Sequence, residues 1–245
     1  MNEATAAPLA TFEGIGKKFG STVALDGLSF SVPEGSVCGL LGPNGAGKTT
    51  AIRVLLGLTG ATAGSTSLLG VTGRGSGFRE AVSQTGSLIE GPALYERASA
   101  RQNIRIHAAA KGMKDADNEI NELLELVGLS SRADSRAKGF SLGMKQRLGL
   151  AMALLGGPTL VILDEPTNGL DPSGIVKGWA IEEAMALLEA SGARHCAINA
   201  GGDIDVRGAD PGRVEGQAPH LERKRHRVGV LEGTVEHRLA VPGGT

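Results

Sequence analysis

Residues 42–49 read GPNGAGKT and fit G-x-x-x-x-G-K-[ST], the spacing of a loop that binds polyphosphate. Backbone N–H groups bind most of the phosphate oxygens in such a loop, so Gly45 and Gly47 let the backbone curl closely around the anion. Lys48 supplies positive charge for the β- and γ-phosphates, and Thr49 supplies a hydroxyl for Mg²⁺. The stretch therefore predicts a site for a nucleoside triphosphate.

A second chemical signal lies at residues 159–165, where the apolar run TLVIL is followed by two carboxylates. A continuous apolar run of this kind predicts a strand buried on both faces of a parallel sheet. Carboxylates at its carboxyl end lie at the edge of the sheet where ligands bind. There Asp164 would hold Mg²⁺ through water, and Glu165 would polarise the attacking water as a general base.

Alternating strand and helix signals surround both motifs and predict an α/β domain. An apolar strand at 36–41 runs into the phosphate loop, and a helix is predicted at 48–58 directly after it. Two further helices are predicted at 115–129 and at 141–155. Ser141 stands at the start of the second of these, where a serine is a good N-cap.

Composition limits the function classes. The 245 residues carry a formal net charge of −1, which gives no general attraction to nucleic acid, so no nucleic-acid partner is expected. Cys38 and Cys196 are the only cysteines, and both are interpreted as reduced and buried. The N-terminus lacks a signal-peptide pattern, and the most apolar region, 148–163, is interrupted by Gly-Gly-Pro. We therefore expect a soluble, cytoplasmic chain.

Residues 8–175 resemble the ATP-binding subunit of an ABC transporter. GPNGAGKTT is similar to its phosphate loop, and LVILDEPTNGLDP to its Walker B and D-loop run. FSLGMKQRLGLA resembles the signature segment in the form of the drug- and bacitracin-export subfamilies, and GSLIEGPALYERASARQNI resembles their Q-loop region. The resemblance implies a P-loop NTPase fold with a small antiparallel β part and a helical signature subdomain.

The resemblance also implies a site for ATP and Mg²⁺ with assigned residues. Phe19 would stack on adenine, while Ser141 and Gly143 of the signature segment would cap ATP held by a second, identical subunit. A membrane-spanning permease would be the other partner and would hold the chain at the inner face of the plasma membrane. Mg²⁺ would be held by Thr49, Asp164 and Glu90. The implied phosphate-loop set is Gly42, Pro43, Asn44, Gly45, Ala46, Gly47, Lys48, Thr49 and Thr50.

The sequence departs from the family pattern at two catalytic positions. Glu90 stands where many members have the Q-loop glutamine; it is either a Mg²⁺ ligand or a surface glutamate. Gln84 precedes the strand predicted at 86–89 and is not its substitute.

The family also has a histidine, just past a later strand, that contacts the γ-phosphate. Here that strand is predicted at about 194–199, the next residue is Ala200, and His195 lies at the opposite end. Hydrolysis of ATP to ADP and phosphate is therefore expected to be weak; the alternative is a hydrolysis-impaired binding module.

The segment that replaces the histidine has its own resemblance. Residues 171–208 resemble a fragment of the enzymes that transfer FMN from FAD to proteins, through GIVKGWA and NAGGD. It is either a diverged ABC C-terminus or a splice near 171–175. Three parts are expected: an ABC-type domain at 1–175, a helix–strand–strand segment at 176–208 with its helix at 176–191, and a weakly ordered tail at 209–245.

Overall fold

The computed structural model describes residues 7–41, 45–73 and 75–164, together with the backbone of 196–199 and 229–234. Several predicted features lie outside the described residues. They are Gly42, Pro43 and Asn44 of the phosphate loop, Glu165, the helix predicted at 176–191, and Ala200.

The main sheet has five strands in the order β6-β7-β8-β3-β9. The first four run parallel, and β9 pairs antiparallel with β3. Both predicted strands beside the chemical motifs are therefore present, since β3 precedes the phosphate loop and β7 ends at Asp164. The bounds are β3 Ser36–Leu41, β6 Thr85–Leu88, β7 Leu160–Asp164, β8 Cys196–Asn199 and β9 Gly229–Thr234.

Strand β7 is buried on both faces, as its apolar run predicts. Val161 and Leu163 belong to a core formed with the helical part of the molecule. Leu160 and Ile162 belong to a second core, formed with the first helix and the antiparallel sheet. The strand thus separates two cores, and its alternate side chains pack into each.

The strand predicted near 194–199 is β8, and it lies between the two motif-bearing strands. Ala197 pairs with Cys38 of β3 on one side and with Ile162 of β7 on the other. Strand β9 was not predicted, because GVLEGT contains two glycines and shows no alternation, and its pairing with β3 links residues far apart in the chain. This strand lies within the segment that the sequence analysis expected to be weakly ordered.

A smaller antiparallel sheet has the strand order β2-β1-β4-β5. Its inner face packs on the main sheet and on helix α1; the rings of Phe12 and Phe30 stack there with centroids 4.3 Å apart. This is the small antiparallel part that was expected. The bounds are β1 Ala10–Phe19, β2 Thr22–Val32, β4 Ala63–Leu68 and β5 Val71–Thr72.

Two helices are shorter than predicted because residues near their ends take left-handed backbone conformations. Helix α1 stops at Leu55, short of the predicted residue 58, and Gly57 follows with φ 68°. Helix α4 is shorter than the predicted 115–129, because Asp115 has φ 56° and Gly128 has φ 64°. The bounds are α1 Lys48–Leu55, α2 Phe78–Ser83, α3 Ala100–Ala110, α4 Asp117–Leu126 and α5 Leu142–Leu154.

Candidate nucleotide-binding site

The phosphate loop connects the end of β3 to the start of α1. Gly45 and Gly47 have φ values of 82° and 96°, a region that side chains rarely occupy. A Cβ added to Gly47 would lie 2.4 Å from the carbonyl oxygen of Ala24 and 2.8 Å from Cδ2 of Leu25. Position 47 therefore requires glycine both for its backbone conformation and for its close approach to β2.

Lys48 is the first residue of α1 and is only 5% exposed. The helix begins there because the N–H of Ala51 donates to the carbonyl oxygen of Gly47 at 2.8 Å. No acidic residue lies in its first turn, so the positive end of the helix dipole is not offset locally. Thr49 and Thr50 are half-buried in the same turn. The start of α1 thus combines a lysine charge with the positive end of a helix dipole, the arrangement that binds phosphate.

Asp164 ends β7 and is 1% exposed. It alternates with Leu160 and Ile162, which pack in the same core as Ile52 of α1, so its place in the strand is on the α1 side. Strands β7 and β3 are separated only by β8, a spacing of about 10 Å. Carboxylate and hydroxyl oxygens are the ligands that Mg²⁺ prefers, so Asp164 and Thr49 fit a magnesium site at this edge.

Phe19 lies at the end of β1 and is 53% exposed. Its register partner on β2 is Thr22, two residues before Ala24, against which Gly47 packs. Two residues of strand correspond to about 7 Å, so the backbone of Phe19 lies near the part of β2 that contacts the phosphate loop. This location suits the adenine-stacking role that the sequence analysis assigned to it.

Glu90 pairs with a residue that the sequence analysis did not single out. Its Oε2 accepts a hydrogen bond from Nη2 of Arg53, in the last turn of α1, at 2.6 Å. Glu90 itself has φ 57°, an unusual conformation for a residue with a side chain. Gln84 immediately precedes β6 and donates from Nε2 to Glu80 at 3.0 Å. No local pattern indicates the pair with Arg53, because its members are 37 positions apart.

The start of α5 is exposed, and its middle packs against the segment that follows Glu90. Ser141 is the N-cap, as predicted, and its Oγ accepts from the N–H of Met144 at 3.2 Å. Gly143 is half-buried in the first turn. Further along, a Cβ added to Gly149 would lie 2.6 Å from Cβ of Pro92. The signature segment and the Q-loop region are therefore in direct contact.

A groove of about 360 Å³ lies beside this contact, between α3, α5 and the segment that follows β6. Burial lowers the pKa of His107 in this groove, and the nearby Lys111 ammonium lowers it further. Two of its apolar residues are well exposed, Tyr95 at 61% and Ile106 at 41%. The groove lining includes Ile89, Pro92, Tyr95, Ile106, His107 and Met152.

Comparison with known proteins agrees with this geometry. The family model described as ABC transporter matches residues 25–168, which include the phosphate loop, the start of α5 and Asp164. The chain belongs to the ABC transporter family. A second model, the ApbE family, matches residues 97–242 and overlaps the first over α3 to β7.

Curated relatives of this ABC chain include two that are named as bacitracin and lantibiotic transport ATP-binding proteins. The bacitracin transport ATP-binding protein BcrA of Bacillus licheniformis is 47% identical over 163 residues, 65% of this chain and 51% of the relative. The lantibiotic transport ATP-binding protein SrtF of Streptococcus pyogenes is 42% identical over 163 residues, 66% of this chain and 69% of the relative. An uncharacterized ABC transporter ATP-binding protein, YdbJ of Bacillus subtilis, is 42% identical over 192 residues, 76% of this chain and 62% of the relative. The chain thus spans about half to two-thirds of the length of these relatives.

Solved structures of ABC proteins show the same fold. The ATP-binding subunit of an ABC transporter superposes with a TM-score of 0.67 at 29% identity, covering 78% of this chain and 79% of the other. CbiO1 from Clostridium perfringens, part of the transporter complex cbiONQ, gives a TM-score of 0.66 at 28% identity, covering 81% and 80%. Within the part of this chain that the structure describes, no helix is long and apolar enough to cross a membrane.

The described residues of this ABC site form three groups. Lys48, Thr49 and Asp164 lie at one edge of the main sheet, and Phe19 lies at the end of β1 in the antiparallel sheet. Glu90 is bound to the far end of α1. Ser141 lies at the exposed start of α5, on the helical part.

Proposed function

We propose that this chain binds ATP with Mg²⁺ and works as the nucleotide-binding subunit of an exporter-type ABC transporter. The observation that carries the proposal is the placement of two buried charged residues at one sheet edge. Lys48 opens α1 after β3, and Asp164 ends β7, with only β8 between the two strands. A lysine ammonium group binds phosphate oxygens and a carboxylate binds Mg²⁺, so the two residues together suit a polyphosphate with its metal ion.

Each residue then has a role in binding. The loop N–H groups and Lys48 hold the phosphate oxygens, and Phe19 stacks on the base. Thr49 and Asp164 hold the magnesium ion, which neutralises phosphate charge when bound. Glu165 polarises the attacking water as general base.

Turnover is proposed to be slow, because the residue after β8 has no group that can hold water. Asp164 pairs with Asn199 in the parallel register, and Glu165 and Ala200 are the next residues of the two segments in the sequence. An alanine side chain neither donates nor accepts a hydrogen bond. Positioned proton-transfer and electrostatic groups each contribute about 100-fold or more in rate, so losing one should slow hydrolysis by roughly that factor.

Binding is tested by titrating the chain with a fluorescent ATP analogue in the presence of Mg²⁺. Lys48→Ala should weaken binding sharply, because it removes the charge that faces the phosphates. Lys114→Ala is the matched control, since it removes the same charge from an exposed position after α3. Equal affinity in wild type and Lys48→Ala would contradict the proposal.

Turnover is tested by steady-state phosphate release at saturating Mg-ATP, with Lys48→Ala as the blank. Ala200→His should raise release at least several-fold, because a histidine there restores a group that contacts the γ-phosphate. A wild-type rate of the order of 1 per second or more would show that ATP hydrolysis is not impaired. A slow wild type that Ala200→His leaves unchanged would instead reject the alignment of Ala200 with the missing histidine.

The proposed partners are a second copy of the chain and a membrane-spanning permease. Relatives of the chain carry names as transport ATP-binding proteins, which supports a role in transport. The exposed start of α5, with Ser141 and the 53% exposed Leu142, offers a helix N-terminus to ATP on a second copy. The groove beside Tyr95 offers apolar surface to the permease, which would hold the chain at the cytoplasmic face of the membrane.

The segment at 171–208, which resembles a fragment of the FMN-transferring enzymes, is proposed to serve the fold and not flavin chemistry. Its strand β8 completes the main sheet. Asp203, in NAGGD, is a single carboxylate, which cannot by itself build a Mg²⁺–pyrophosphate site. We expect no FMN transfer, and a saturable FAD fluorescence titration in the micromolar range would overturn this view.

A further inference from the structure

We propose that Lys17 is a positioning residue for the nucleotide base: it covers one face of the Phe19 ring and fixes the ring so that the base stacks on the other face. The proposal rests on the proposed function, because it requires ATP to be bound at the phosphate loop. It adds a residue to that site which neither the loop motif nor the sheet-edge carboxylate implicates.

The side chain of Lys17 is held at two points. Its Nζ donates a hydrogen bond to the carbonyl oxygen of Gly60 at 2.6 Å and lies 4.7 Å from the centroid of the Phe19 ring. An ammonium group within about 6 Å of a ring centroid is attracted to the electron-rich face of the ring. The ammonium group at the end of the half-buried lysine side chain is therefore held in place, and it covers one face of the Phe19 ring.

The anchor at Gly60 is itself tied to β1 by backbone contacts. The N–H of Thr62 donates to the carbonyl oxygen of Gly16 at 2.8 Å, and its Oγ1 accepts from the N–H of Lys18 at 3.1 Å. The loop after α1 thus moves with the strand that carries Phe19. Lys17 thereby links the Phe19 ring to the loop that follows α1.

The geometry leaves a stacking surface for a flat base. Phe19 is 53% exposed at the end of β1, although one side of its ring faces the ammonium group. Stacking of a base on an aromatic ring is worth about 1–3 kcal/mol. A ring that is already oriented loses less conformational entropy when the base binds, so the fixed ring binds more tightly than a free one.

The proposal makes the effect of Lys17 specific to the base. Because its ammonium group is bound to Gly60 and covers the ring, Lys17 acts on the triphosphate only as one more nearby positive charge. Lys18, the next residue and exposed, carries the same charge and is the matched control. Removing either charge should affect a bare polyphosphate equally.

The test compares binding of Mg-ATP and of Mg-tripolyphosphate by calorimetry. Lys17→Met keeps the stem and removes the charge; it should raise the Kd for Mg-ATP about two- to five-fold beyond the effect of Lys18→Met. The Kd for Mg-tripolyphosphate should be the same in both variants. Lys17→Arg should restore ATP affinity, because a guanidinium group also packs on an aromatic face. In a Phe19→Ala background, Lys17→Met should have no further effect on ATP.

Three outcomes would overturn the proposal: equal ATP affinity in Lys17→Met and Lys18→Met, an equal loss of tripolyphosphate and ATP binding, or a full effect of Lys17→Met without the Phe19 ring. Retained tripolyphosphate binding also shows that the phosphate loop of each variant is folded. A different result would contradict the proposed function itself: Lys48→Ala would leave the affinity for Mg-tripolyphosphate unchanged.

Discussion

At the scale of single residues, Gly45 and Gly47 share a left-handed backbone but differ in their surroundings. Among the described residues, none lies within 4 Å of a Cβ placed on Gly45, whereas a Cβ on Gly47 would meet the Ala24 carbonyl oxygen at 2.4 Å. Gly45→Ala should therefore lower the free energy of unfolding only by the cost of placing a side-chain-bearing residue in the left-handed conformation, about 1–2 kcal/mol. Gly47→Ala should cost that plus about 1–3 kcal/mol for displacing β2. Urea unfolding of the two variants measures the difference, and equal midpoints would contradict the observed packing of the loop.

A second prediction at this scale concerns the carboxylate of Glu90. Bound to Arg53 at 2.6 Å, it is held by a cation that competes with Mg²⁺. If Glu90 is a magnesium ligand, Arg53→Gln should lower the Mg²⁺ concentration needed for half-maximal ATP binding, and Glu90→Gln should raise it. Both groups are largely exposed, so neither change should alter the free energy of unfolding by more than about 1 kcal/mol. The result that would remove Glu90 from the metal site is an identical Mg²⁺ dependence in wild type and Glu90→Gln.

The residues that the sequence predicts best are those defined by a local pattern. Lys48, Asp164 and the N-cap Ser141 lie where their motifs set them, because strand ends and helix starts follow from neighbouring residues. Arg53 and Lys17 were missed, because their partners become neighbours only when distant strands and helices pack together.

At the scale of secondary-structure elements, helix α3 brings a titratable group into the groove. Burial, and then the Lys111 ammonium, lower the pKa of His107 below its ordinary value of 6.5. The unfolded chain therefore binds more protons than the folded chain near and just below that pH, so stability should fall as the pH falls through this window. His107→Gln should flatten this part of the pH profile. Unfolding free energies measured in urea between pH 7.5 and 5.5 test the effect, and an unchanged slope in the variant would contradict it.

Element boundaries show where local prediction stops. The predicted helix at 115–129 is real, but Asp115 and Gly128 take left-handed conformations and shorten it to Asp117–Leu126. Strand β9 had no local signal, because its hydrogen bonds come from β3. Apolar spacing therefore locates elements, whereas their ends and their edge pairings depend on contacts that the spacing does not contain.

At the scale of the whole molecule, the phosphate loop depends on the segment with the other family resemblance. Strand β3 precedes the loop, and its two neighbours in the described sheet are β8 and β9. Both come from beyond residue 175, the end of the stretch that resembles an ABC subunit. The ABC-like part therefore does not contain all of its own sheet, although every described nucleotide-site residue lies within it.

This dependence predicts the effect of shortening the chain. A chain ending at residue 175 loses β8, so β3 and β7 have no strand to join them, and Lys48 is no longer held beside Asp164. It should show no cooperative thermal unfolding and no Mg-ATP binding. A chain ending at 208 retains β8 and, of the elements that the structure describes, loses the edge strand β9. It should bind ATP but melt at a lower temperature than the full chain. Circular dichroism melts and ATP titrations of the three chains decide the matter. If the chain ending at 175 binds ATP as tightly as the full chain, the residues beyond 175 are not part of the folded nucleotide-binding domain.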